Sequence, residues 1–148
     1  MLAWLLLETE ASVAILLLRL TLAVVIFPHG AQKVLGWFGG QGFTGTLQSF
    51  TSAGIPPVLA LLAIAAEFLG PLGLVVGLLT RLAAFGIACV MLVAIATVHW
   101  ANGFFMNWSG TPQGEGFEYH LLVLGIAIAL IIKGGGTWSV DRTLSDAP

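Results

Sequence analysis

Charge is nearly missing from this chain. Five Lys and Arg and seven Asp and Glu, 8% of 148 residues, compare with about 25% in soluble globular proteins. So few charges cannot solvate the surface of a 15.5 kDa globule, which excludes an ordinary soluble domain. The basic residues stand singly and make no basic patch, which excludes nucleic acid as a partner. Cysteine is scarce as well. Cys89 alone permits no intrachain disulfide, no CxxC redox pair and no cysteine-built zinc site. What fills the chain is apolar: 58% of its residues are hydrophobic. Disorder is thereby excluded, because it needs low hydrophobicity and high charge. An all-α integral membrane protein remains.

Four apolar stretches predict a bundle of four transmembrane helices, over about residues 11–30, 57–79, 82–100 and 117–133. A crossing takes about 20 residues. The second and third stretches meet this length, and the first and fourth borrow flanking residues such as Gly30 or Lys133. Residues 1–148 then form a single transmembrane domain. The segment Leu2–Leu7 is too short to cross and is stopped by Glu8 and Glu10, so it is expected at the interface or as an extension of the first helix. A signal peptide fits poorly, because no Lys or Arg precedes the apolar run and Arg19 interrupts it.

Glycine and proline mark the breaks. Gly39, Gly40, Gly42, Gly45 and Gly54 punctuate the first connection, and Pro56-Pro57 opens the second helix, where a missing N–H costs nothing. Within that connection Phe43, Leu47 and Phe50 recur at helical spacing and predict a short amphipathic helix on the outer surface. Thr80-Arg81 is expected to form the tight turn between helices two and three, and Gly134-Gly135-Gly136 to end the fourth. Arg81, Lys133 and Arg142 fall on the side of both termini, against Lys33 on the other. That bias predicts cytoplasmic termini. Ala63, Ala66, Gly70, Gly73 and Gly77 form a small-residue stripe for close helix packing, with smaller patches at Ala84/Ala88 and Gly125/Ala129.

Ionisable groups at membrane depth are costly, so they are paired or functional. Counted from helix ends near Pro28 and Pro57, Arg19 and Glu67 lie at equal depth, which predicts a buried ion pair. That pair reads either as a structural staple or as part of a proton- or quinone-linked site. A second group gathers at the outer rim. His29 and Lys33 continue the polar stripe of helix one, His99 closes helix three, and Glu115, Glu118 and His120 open helix four. Trp37, Trp100, Phe104, Phe117, Tyr119 and other aromatics surround them. Such rings are ordinary at a membrane boundary. Crowded over polar groups, they also suit an amphipathic ring ligand such as a quinone. His29, Lys33, Trp37, His99, Trp100, Phe104 and Glu118 are the expected ligand-binding residues. A metal suits these ligand types, but no HxxxH or ExxH spacing is present, and no metal is expected.

The segments "RLTLAVVIFPHGAQKVLGWFGG", "SAGIPPVLALLAIAAEFLGPLGLVVGLLTRLAA", "ATVHWANGFF" and "GEGFEYHLLVL…GGGTWSVD" together resemble the DoxX family of small bacterial and archaeal membrane proteins. The likeness runs from about Arg19 to Asp141 and includes Gly30, Gly36, Gly54, Pro56, Gly77, Thr80, Arg81 and Ser139. It implies a four-helix membrane domain. It also implies a role beside membrane oxidoreductases, including thiosulfate–quinone oxidoreductase components, or in quinone and catechol detoxification. The sulfur-oxidising branch leads one to look for paired cysteines, and Cys89 stands alone.

Two functions follow as expectations. In the first, the chain is a redox-linked subunit of the inner membrane that binds a quinone and supports an oxidoreductase. No haem-ligand pair, Rossmann glycine pattern or cluster-binding cysteines are read in the sequence. No covalent cofactor is therefore expected, and electrons come from a protein partner or a diffusible substrate. Any catalysis would be that of an oxidoreductase component acting with its partner, and no catalytic residue is assigned. In the second, the chain is a structural or scaffold subunit of a membrane complex. Lipid surrounds it in both.

Overall fold

The computed structural model describes residues 7–110 and 114–146. All of the segment Leu2–Leu7 except its last residue, and Pro112 of the third connection, lie outside the described residues. Among those described the regular structure is helical throughout.

Helix α1 runs Val13–Leu35, with the Ser12 hydroxyl accepting from Ile15 N–H at its start and Gly36 at φ 71° ending it. It passes straight through Pro28. In an apolar medium every other backbone group gains by staying helical, and neighbouring helices tolerate the proline. A 3₁₀ turn, Trp37–Gly39, leads to α2, Gly42–Ser52, and α3 follows over Pro57–Val76. Helix α4, Thr80–Ala94, is prolonged by a π turn, Ile95–His99, and a 3₁₀ turn, Trp100–Asn102. Helix α5 spans Glu118–Lys133, and a short α6, Val140–Ser145, folds back against the α3–α4 turn.

Helix α1 packs against α3 and α5, α4 packs against α3 and α5, and α2 lies over α1 and α3. Leu22, Ile26, Leu74, Ile87 and Leu130 fill the seam with almost no exposure. The outside is as apolar as the inside: Val24, Leu62, Phe85, Leu122 and Ile132 are exposed. Three helical stretches, Val13–Leu35, Pro57–Val76 and Thr80–Asn102, are long and apolar enough to cross a membrane. At 16 residues, α5 is shorter.

Small residues set the crossings. A Cβ on Gly30 would overlap the Glu67 backbone, so α1 and α3 touch main chain to main chain there. Gly70 faces Ile87, and Gly86 faces Ala66, joining α3 to α4. Ala84 and Ala88 are buried, as their patch predicts. Gly125 has open space around it, so the expected Gly125/Ala129 patch does not pack inside.

Two expectations need correction. The turn between α3 and α4 is Gly77-Leu78-Leu79, and Thr80 and Arg81 already belong to α4. The cause is remote: Asp141 accepts from the N–H groups of Leu79 and Thr80 and starts the helix there. Second, Arg19 and Glu67 do not pair. Gly30 lies opposite Glu67 and Gly77 opposite Arg19. The two charges are therefore about eleven residues apart along α1, or about 16 Å at the helical rise. Ending the first helix near Pro28 misplaced its outer end by about two turns, and Arg19 with it.

A candidate polar site inside the outer half of the bundle

Glu67 sits deep in α3, 4% exposed. Its Oε2 meets the Lys33 ammonium at 2.8 Å. Lys33 lies one turn beyond Gly30 on α1, so the glycine that brings the backbones together also lets the lysine reach back to the carboxylate. The Lys33 side chain keeps 23% exposure and opens to a groove between α1 and α2. Gln32, Gly40, Gln41, Thr46, Ser49 and Phe50 line the rest of this groove, which holds about 320 Å³. A second, apolar groove of about 340 Å³ runs between Val34, Phe43 and the Leu61–Leu69 face of α3.

Rings continue the cluster inward. His29 feels the charges of both Lys33 and Glu67, and Tyr119 feels that of Glu67. The His29 and Tyr119 rings are 6.4 Å apart, Tyr119 and His120 5.3 Å, and His120 and His99 4.0 Å. His120 is 6% exposed. The Tyr119 hydroxyl and His120 Nδ1 are buried without a hydrogen-bond partner among the described residues. Buried polar groups are rarely left so, and each one invites an explanation. Four helices thus converge on one polar centre in an otherwise apolar bundle.

Of the residues expected to bind a ligand, His29, Lys33 and His99 meet in this cluster. Four do not. Trp37 is exposed and packs edge-on against Phe38. Trp100 stacks on Phe117 at 5.4 Å, and Phe104 meets the same ring edge-on at 5.6 Å, outside the cluster. Glu118 faces the loop, where its carboxylate accepts from Met106 N–H at 2.9 Å and Trp108 Nε1–H at 3.2 Å. It ties down residues 103–108 and leaves His99 to the Glu115 carbonyl. Tyr119 and His120 were missed as ligand residues. The signal was their place after Glu118: once that residue turns to the loop, the next two swing inward at about 100° per residue. No group of three His, Cys, Asp or Glu among the described residues could hold a metal ion.

The end of the bundle that carries the α3–α4 turn holds a clasp. Asp141, fully buried, accepts from Leu79 N–H at 2.6 Å and Thr80 N–H at 2.8 Å, and its own N–H reaches the Gly77 carbonyl. Arg19, 1% exposed, donates from Nη2 to the Trp138 carbonyl at 3.0 Å and lies within the field of Asp141. Arg81 donates to the Glu8 carbonyl and Lys133 pairs with Glu10 at 2.8 Å, which binds the N-terminal segment to the same face. These contacts join residues 8–10 and 138–141 to the α3–α4 turn and its neighbours.

Helices that are apolar outside and carry buried charge inside define a small multi-helix membrane protein. The chain belongs to the DoxX family, whose model matches residues 14–100. It is 33% identical over 119 residues to a Bacillus subtilis (strain 168) protein named "Putative oxidoreductase CatD", covering 80% of this chain and 79% of that one. It is also 28% identical over 134 residues to the inner membrane protein YqjF of Escherichia coli (strain K12), covering 90% and 94%. No solved structure matches at a significant level.

Proposed function

We propose that the protein is a redox-linked inner-membrane subunit that binds a quinone or a similar amphipathic ring at the Lys33–Glu67 cluster. The observation that carries this reading is the set of buried polar atoms around the pair, with the Tyr119 hydroxyl and His120 Nδ1 left without hydrogen-bond partners among the described residues. Quinone reduction takes two electrons and two protons and calls for a donor near each carbonyl. A lysine ammonium, a phenol or an imidazole N–H donates, and an imidazole takes up a proton on one ring nitrogen as it releases one from the other. The oxidoreductase name of the Bacillus relative supports the redox direction. Electrons would come from a protein partner.

In this reading α5 is the fourth span, about 24 Å long by its rise, and a bilayer thins or flanking residues snorkel to fit a short helix. Helix α2 lies on the outer surface. The clasp gathers Glu8, Glu10 and α6 on the face of Arg81, Lys133 and Arg142, which the positive-inside rule assigns to the cytoplasm. Reporter domains fused to either terminus should be active on the cytoplasmic side only; periplasmic activity would invert the assignment.

The ligand test is a titration of the protein in lipid nanodiscs with a short-tailed benzoquinone, read by fluorescence quenching. Binding should saturate, and Lys33→Ala and His120→Ala should each weaken it more than about tenfold, or 1.4 kcal/mol. Uptake that rises without saturation, as in empty nanodiscs, would reject the site and favour the scaffold reading.

A further inference from the structure

The polar cluster has a port at its loop end. His99 is half-exposed and sits at the close of the π turn, a distortion that often marks functional positions in helices. Its Nδ1 lies 2.8 Å from the Glu115 carbonyl oxygen. A carbonyl only accepts, so Nδ1 carries the hydrogen and, in the neutral ring, Nε2 is the basic nitrogen. The same carbonyl also accepts from the Asn102 amide at 3.1 Å, which holds it in place. Against His99 lies the ring of His120, 4.0 Å between centroids and tilted by 42°. His120 is buried, with Nδ1 unpartnered among the described residues, and behind it stand Tyr119, His29 and the Lys33–Glu67 pair.

We propose that His99 and His120 form a two-step proton port through which the buried cluster exchanges protons with water at the loop. The rings lie in a tilted stack rather than nitrogen to nitrogen, so a water links them: protonated His120 gives its proton to that water as the water gives one to Nε2 of His99, and the positive charge moves across. His99 then releases the proton to water at the loop. The tautomer imposed by the Glu115 carbonyl keeps His99 ready to accept, and burial keeps His120 from reaching the water at the loop by itself. The port serves the ligand site proposed above and rests on that reading for its purpose, but the exchange needs no ligand.

The experiment follows the exchange of the His120 ring proton with water by NMR, using protein labelled with ¹⁵N-histidine in lipid nanodiscs. His120→Phe assigns the signal. The test variants are His99→Phe and His99→Gln; glutamine still donates to the Glu115 carbonyl but takes no proton. Both should slow exchange at least about tenfold, well inside the hundredfold or more that a positioned acid–base group supplies, with the backbone amide spectrum unchanged. A smaller slowing in His99→Gln overturns the port. So does wild-type exchange as slow as that of a core amide, a measurement that needs no variant. Titrating the same samples with the benzoquinone separates the two ideas. Saturable binding with unchanged exchange removes the port alone, whereas slowed exchange without binding removes the ligand reading alone.

Discussion

Asp141→Ala is expected to destabilise the protein by about 1–3 kcal/mol for each of the two N–H groups it leaves without an acceptor. The carboxylate is fully buried and does two jobs at once. It accepts the Leu79 and Thr80 N–H groups, which α4 leaves unmet at its start, and it offsets the field of Arg19. Alanine abandons both. Asp141→Asn keeps an acceptor oxygen and loses the charge, so it should fall between wild type and alanine and divide the two contributions. The reference change is Asp146→Ala, which removes an exposed 3.6 Å contact with Arg142 and should alter stability by less than about 1 kcal/mol. Reversible unfolding in mixed micelles reads all three. Equal losses for Asp141→Ala and Asp146→Ala would refute the clasp.

The second large effect is at the ion pair. Lys33→Met should cost about 3 kcal/mol, the low end for a broken buried pair, because the lysine side chain keeps 23% exposure and its loss is partly solvated. Glu67 then remains buried without a counter-charge. Lys33→Met combined with Glu67→Leu should recover most of that loss, since a fully apolar replacement leaves no charge stranded. Ligand binding should not recover with it. A double variant no more stable than Lys33→Met would show that the two side chains act independently.

Much of the fold is legible in the sequence because a bilayer makes one demand above others. Long uncharged runs must be helices, so composition and spacing locate them, and small residues at Gly70 and Ala84 identify the touching faces. Helix ends are less legible. Pro28 looked like a boundary by the rules of soluble proteins, whereas the helix continues to Leu35. That one boundary decides which cation meets Glu67, and it changes the partner from Arg19 to Lys33. The α3–α4 turn was shifted for a different reason. Its position depends on a carboxylate more than sixty residues away in sequence, and no local pattern contains that information.

The polar site was legible in part for similar reasons. His29, Lys33 and His99 stood out as ionisable groups near the outer rim. Tyr119 passed as one more boundary aromatic, and Glu118 drew attention that belonged to its neighbours. Which of three consecutive polar residues enters the bundle is set by where α5 begins, and the backbone bonds that begin it come from Gly103, Phe104 and Phe105 in the preceding loop.

The clasp at the α3–α4 turn also has a consequence for how the chain is made. Arg19 leaves the ribosome early and enters the membrane with the first helix. The carbonyl that receives its hydrogen bond belongs to Trp138, 119 residues later. Until that residue and Asp141 are synthesised, the first helix carries a cation without its folded-state acceptor, and the N–H groups at the start of α4 lack theirs. The helices from α1 to α5 are therefore made before Trp138 and Asp141 lock them. A chain that ends before Trp138 and Asp141 lacks the groups that meet Arg19 and the start of α4.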